Sequence, residues 1–363
     1  MSSFKLLLLL HLMMGLLSIS GSDRPVPKAT VYVDKSGSGN YSSVQAAIDA
    51  VPDDNDQWIQ IVIKQGTYNE KVMITSAKQY IFLQGDRDNP TIIEYGDYGS
   101  ATESATFRLY GDNFIALDIN FKVKTNSITS LTHYCGPRAR AVHVKFYVQN
   151  SYSPVKQTVD DTPVSWAPAA FLAGDKASFY RCSFHGIQDT LGDGKGRHYF
   201  TSCNISGAID FIWGGGQSVY KDCLLETIAS TIGRNGYVTA QGREGPNDSS
   251  GFVFINGWLT GEGQTYLGRA YRQYSRVLFY KTSMTAVIVP EGWSAWNFEG
   301  KENDITYDEV ECTGEGANES GRVQWMKNLP SQEVEYLLSN NFVNQDGWLD
   351  NQPGYNQIQT TRY

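Results

Sequence analysis

Apolar residues along the chain fall in short bursts separated by polar punctuation, not at the three-to-four spacing of long amphipathic helices. The runs Ile59–Ile63, 80–83, 106–110, 114–121 and 277–280 are β-branched or aromatic, four to eight residues long, and bounded by Gly, Asp or Asn. That pattern predicts short strands. One helix is predicted over 42–51, opened by a Ser cap and closed before Pro52. Long helices are otherwise scarce, so an alternating strand–helix fold fits poorly. At the front, Lys5 leads into the apolar run Leu6 to Leu10, continuing through Met13, Met14, Leu16 and Leu17 to the small residues Ser18, Ser20, Gly21 and Ser22. This is the grammar of a secretory signal peptide. It is shorter than the roughly 20 apolar residues of a membrane span. The expectation is a leader over 1–22, one domain over 23–363, a secreted product and no membrane span.

The spacing of the strands says more than the strands themselves. The segment Phe179-Tyr180-Arg181-Cys182-Ser183-Phe184-His185-Gly186-Ile187-Gln188-Asp189 is echoed by Phe200-Thr201-Ser202-Cys203-Asn204-Ile205-Ser206-Gly207-Ala208-Ile209-Asp210. Cysteine, glycine and aspartate each recur after 21 residues, and Val219-Tyr220-Lys221-Asp222-Cys223 opens a third copy. A period in the twenties with strands in each copy predicts a stacked solenoid, all-β, and a parallel β-helix in particular. Cys182, Cys203 and Cys223 should then form an inward ladder of packing thiols, with disulfides, including one through Cys135, left open.

Composition narrows the class. Of 363 residues, 41% are apolar and 19% charged, which suits a folded globular chain. The net charge of −8 and pI near 5.2 argue against a nucleic-acid partner. The triplet Asn-x-Ser at Asn40, Asn204, Asn247 and Asn318 offers glycosylation acceptors to a secreted chain, with Asn204 disfavoured by its place in a strand.

The repeat also has a chemical consequence. Asp189 and Asp210 share one position on neighbouring coils, about 4.8 Å apart along the stack. Two such carboxylates do not both ionise at low cost, so one becomes a base or nucleophile and the other stays an acid. A turn aspartate repeated with its turn would give the same spacing. The company of Gln188, Phe211, Trp213 and the separate segment around Arg269 favours chemistry. His133, His143, His185 and His198 form no metal or triad pattern, and no Gly-x-Ser-x-Gly elbow is present.

The blocks Gly186-Ile187-Gln188-Asp189-Thr190-Leu191, Asp210-Phe211-Ile212-Trp213-Gly214 and Leu267-Gly268-Arg269-Ala270-Tyr271 resemble the signature blocks of plant pectin methylesterases. Gly66-Thr67-Tyr68-Asn69-Glu70-Lys71-Val72 and Val289-Pro290-Glu291-Gly292-Trp293 match two further blocks in order, and the resemblance runs over about 30–348. The short type, without an inhibitor-like pro-region, is the form it resembles. The resemblance implies a right-handed parallel β-helix that hydrolyses methyl esters of galacturonate in cell-wall pectin. It makes Asp210 the nucleophile, Asp189 the general acid and then base, and Gln188 an oxyanion donor. Arg269 would orient Asp210 and bind substrate, with Tyr271, where the family usually has Trp, stacking on a sugar. No metal or organic cofactor is implied. The implied partner is methyl-esterified homogalacturonan, with a proteinaceous inhibitor also in view, for a monomer in the cell wall. Glu70 reads as structural, and Trp213, where the family has Phe, as packing.

The match breaks at one point. The family carries a second oxyanion Gln 23 residues before the first catalytic Asp, and that position here is Trp166. A rival alignment through Cys135-Gly136-Pro137 places Arg140 there instead. The stretch 126–164 is longer than the family spacing and reads as an inserted loop by the cleft. Losing such a donor costs roughly 10²–10³ in turnover, with Gln241 and Gln157 as the candidates to replace it. Three readings follow: an active pectinesterase, a catalytically impaired homologue that binds pectin in the wall, and a pectate lyase. The last is disfavoured because it needs a carboxylate cluster for Ca²⁺.

Overall fold

The computed structural model describes residues 25–97, 99–123 and 166–354. The expected leader, Arg140, Cys135, Gln157 and all of the expected inserted loop lie outside them. Among the described residues the chain winds through three parallel sheets, one strand of each per coil. Face A has ten strands, from Ala29–Val33 to Thr306–Val310. Face B runs from Gly66–Asn69 to Ser283–Met284 and face C from Val72–Ile74 to Trp293–Ser294, with eight strands each. This is a right-handed parallel β-helix, the hand that parallel crossovers adopt.

The expected strands recur with small shifts, as Ile59–Ile63, Ile81–Gln84, Phe107–Leu109 and Arg276–Tyr280. The run 114–121 is a correction. It divides into Phe114–Leu117 on face A and Ile119–Val123 on face B, because Asp118 between them turns left-handed at φ 57°. Both halves are apolar, so hydrophobicity alone hides the corner. Successive coils repeat it at Arg181, Ser202, Asp222, Asn256 and Lys281, all with φ between 51° and 56°.

Side chains pointing inward stack on their equivalents one coil away. Phe179, Phe200, Tyr220, Phe254 and Phe279 form a column with centroids 4.9, 4.5, 4.7 and 4.4 Å apart. Cys182, Cys203 and Cys223 line up beside it, buried and unbridged, as the repeat predicts. The predicted helix is α1 (Val44–Asp49), capped by Ser43 Oγ accepting from the Ala46 N–H at 3.1 Å. Glu70 is structural as expected: its carboxylate accepts the Val44 and Gln45 N–H groups at 2.8 and 2.9 Å. At the other end, α2 (Ser331–Leu338) and α3 (Asn341–Asn344) lie on the outside of face A. There Phe342, Val343, Trp348 and Leu349 cover Tyr180, Val219, Val253 and Leu278.

Candidate active site

The corner leading into face C carries the two aspartates. Gln188 bridges Ile209 in parallel register, and the Asp189 N–H donates to the Ile209 carbonyl at 3.0 Å. Asp189 and Asp210 therefore stand one coil apart in equivalent positions. Both adopt left-handed backbone, φ 57° and 48°, a conformation that Asp tolerates better than most residues. Gly207 makes the turn before Asp210 possible. A Cβ there would lie 2.2 Å from Phe211 Cβ and 2.7 Å from Thr190 Oγ1.

The same register extends the corner column upward. Ile212 pairs with Thr239, and Tyr237 pairs with Tyr266, so the column reads Asp189, Asp210, Tyr237, Tyr266. Beside it on face C, the outward positions are Phe171, Gly192, Trp213, Ala240 and Arg269. Ala240 is small, and Arg269 reaches across that coil to Asp210. Its Nε donates to Asp210 Oδ1 at 2.8 Å and its Nη2 to Oδ2 at 2.5 Å. This bidentate fork is a geometry that Lys lacks.

The aspartates differ electrostatically. Burial pushes Asp210 above the usual carboxylate range, and the Arg269 fork works against that rise. Asp189 has no such partner. Burial first, then the negative charge of Asp210, carry it to about 8, with Arg269 opposing from further away. Asp210 thus ionises first, and Asp189 holds a proton at neutral pH, the division of roles expected from two adjacent carboxylates.

Gln188 is half-buried immediately before Asp189, and Tyr271 is half-buried two residues beyond Arg269. Tyr271 stacks on Trp296, centroids 6.3 Å apart, and meets Trp213 edge-on at 6.3 Å. Trp213 does more than pack: its Nε1 donates to the Asp189 carbonyl at 3.2 Å. Phe171 continues this aromatic surface, 6.0 Å from Trp213. Gly192 leaves it room, since a Cβ there would meet Phe171 at 2.7 Å. A cavity of about 480 Å³ opens beside the aspartates, lined by Ile209, Arg234, Asn235, Tyr237, Tyr266 and Arg269.

Gln241 does not belong to this site. It is fully buried, with Oε1 accepting the backbone N–H of Arg243 and Arg276 at 3.0 and 2.8 Å. Trp166 is 49% exposed, its carbonyl accepting from Gly99 at 3.0 Å. His198 is enclosed in the core, its ring nitrogens facing Asp193 Oδ1 and the Gly174 carbonyl. Tyr237, Trp296 and Phe171 are the site residues that sequence reasoning passed over. The register of the corner column is the signal for Tyr237, and the proximity of Trp296 to the block ending at Trp293 is a weaker one.

The family model described as Pectinesterase matches residues 30–131 and 163–346. The chain belongs to the pectinesterase family. Probable pectinesterase 29 of Arabidopsis thaliana is 41% identical over 326 residues, covering 89% of each chain. Probable pectinesterase 55 of the same plant is also 41% identical over 326 residues, covering 89% of this chain and 91% of its own. The solved pectin methylesterase from carrot superposes with a TM-score of 0.75 at 29% identity, covering 94% of this chain and 99% of its own. Membership of the pectinesterase family and the shared fold support a carboxylic ester hydrolase acting on pectin.

Proposed function

We propose that this chain hydrolyses methyl esters of galacturonate in cell-wall pectin through a covalent intermediate on Asp210, outside the cell. The observation that carries the reading is the unequal pair: an Arg269-held carboxylate one coil from a carboxyl pushed to about 8. An Asp210 oxygen attacks the C6 carbonyl carbon, and the electron pair moves to the carbonyl oxygen, where Gln188 donates to the developing charge. As this intermediate collapses, the C6–OCH₃ bond breaks and Asp189 gives its proton to the departing methanol. The product is an acyl-enzyme anhydride, with Asp189 now a carboxylate. Asp189 next takes a proton from water, whose oxygen attacks C6. The C6–O bond to Asp210 breaks, restoring both groups and leaving the uronic acid, which releases its remaining proton to solvent. Tyr271 and the aromatic surface beside it would hold sugar rings against face C.

One observation favours a second reading, a homologue that binds pectin with little turnover. Counting back from Asp189, the position of the oxyanion Gln implied by the resemblance falls on Trp166, or on Arg140 in the rival alignment, and the buried Gln241 offers no substitute. One methanol-release assay on methylated pectin tests both readings. The wild type is expected to release methanol, and Asp210→Asn to release none while retaining pectin binding. Trp166→Gln is expected to raise turnover by about 10²–10³, the usual worth of one oxyanion donor. Hydrolysis retained by Asp210→Asn would refute the nucleophile assignment. Unchanged turnover in Trp166→Gln would refute the deficit.

A further inference from the structure

The guanidinium of Arg269 is enclosed between two aromatic rings. Its central carbon lies 3.7 Å from the Trp296 ring centroid and 4.3 Å from that of Tyr237, both well inside the roughly 6 Å reach of a cation–π contact. Both rings are themselves backed: Tyr266 stacks on Tyr237 at 5.1 Å and 9°, and Tyr271 on Trp296 at 6.3 Å and 27°. Trp296 also adopts a left-handed backbone, φ 50°, with its N–H on Ser294 Oγ at 3.2 Å. Bulky residues avoid that region, and strain of this kind collects where a side chain must be aimed. Here it aims an indole at Arg269.

We propose that Tyr237 and Trp296 are positioning residues that clamp Arg269, keeping its N–H edge on Asp210 and away from the uronate carboxylates of the product. A guanidinium is planar, and its edge donates while its faces are weakly hydrated. With the faces covered by rings, only the edge remains for hydrogen bonding, and Nε and Nη2 already serve Asp210. The need for a clamp follows from the proposed chemistry, on which this inference rests. Each turnover makes a new carboxylate next to Arg269, and that anion competes with Asp210 for the same fork.

The groups that set the ionisation of Asp210 are few. Burial raises Asp210 and the fork of Arg269, from the strand Thr265–Arg269, opposes it. The other titratable groups around it are Asp189 one coil away, Tyr237 in the corner column, and the core residue Tyr307, which the Asp210 charge itself helps to raise. The test uses Trp296→Leu and Tyr237→Leu, which keep apolar bulk over Arg269 but remove the π face, with Trp296→Phe as the conservative partner. In each Leu variant kcat is expected to fall about tenfold with KM within about twofold of wild type. The acid limb of the rate profile should move up by about one pH unit, and inhibition by demethylated pectin should strengthen. Trp296→Phe, which keeps a π face, should stay close to wild type in all three measurements. Without substrate, carbon NMR of the Asp210 carboxyl should titrate higher in the Leu variants. A raised KM with an unmoved acid limb would make these rings substrate contacts and overturn the proposal, as would an unmoved carboxyl titration. A wild type that releases no methanol would defeat the esterase reading alone, leaving the carboxyl titration to decide the clamp.

Discussion

Asp189 and Asp210 share a corner, a backbone conformation and a near-complete burial, yet only one has a cation in its hydrogen-bonding plane. That single difference sends the proton to Asp189, held at about 8 by burial and by the charge of Asp210. The consequence extends to folding. An unfolded Asp releases its proton near pH 3.9, so above that value the folded chain keeps a proton that the unfolded chain has lost. Stability therefore declines as pH rises from the unfolded value through the folded one, and the full cost is present above about 8. Asn at this position has no proton to release. Asp189→Asn should melt higher than wild type near neutral pH, with the gap closing toward about pH 4. Thermal melts of both proteins across that range check it, and an Asn variant no more stable at neutral pH would contradict the argument. The same substitution should abolish turnover, because the site's acid is also its source of instability.

At the level of the coil, legibility follows the regularity of the winding. Where coils are short, Cys182, Cys203 and Cys223 repeat at 21 and 20 residues, and the solenoid and its aspartate pair can be read directly from spacing. Above Asp210 the corner column passes to Tyr237 and Tyr266, after 27 and 29 residues. The first of these coils takes in the 3₁₀ turn Ala229–Ile232. The second takes in a loop that Arg243 ties together by donating to the Asp248 and Pro246 carbonyls at 2.7 and 2.5 Å. Insertions erase the period, and the change from Asp to Tyr erases the residue type, so only backbone pairing recovers the column. Trp293 and Trp296 look alike in the chain. The first is buried with Nε1 on Glu309 at 3.1 Å, while the second turns out over Arg269. What separates them is a left-handed φ, which indole-bearing residues rarely take and which no hydrophobic pattern reports. By contrast, α1 was readable at both ends, because a Ser cap and a following Pro are local signals.

Across the whole molecule the net charge of −8, near −9 if the expected leader carrying Lys5 is removed, acquires a meaning through where the cations sit. Arg269 is committed to Asp210, Arg181 to Asp118, Arg197 to Asp175 and Asp346, Arg322 to Glu309, and Lys64 to Asp34. Pairing of this kind leaves the acidic surplus to set the outer field, with the exposed Arg234 on the cavity rim as a local exception. Each hydrolysed ester adds a negative charge to the polymer, so the field grows more repulsive as the proposed reaction advances. Methylated stretches are neutral and meet no such barrier. Asp210→Asn, which the proposed mechanism leaves unable to convert what it binds, separates the two cases. At low salt it should be retained more weakly on demethylated than on methylated pectin. Raising ionic strength should narrow the difference, as the screening length falls to about 8–10 Å. Removing Asp210 leaves the variant one charge less acidic and frees the Arg269 fork; both act against the expected difference and make its detection more telling. Equal or stronger retention on the demethylated polymer at low salt would mean that local cations such as Arg234, and not the average field, decide where the chain binds.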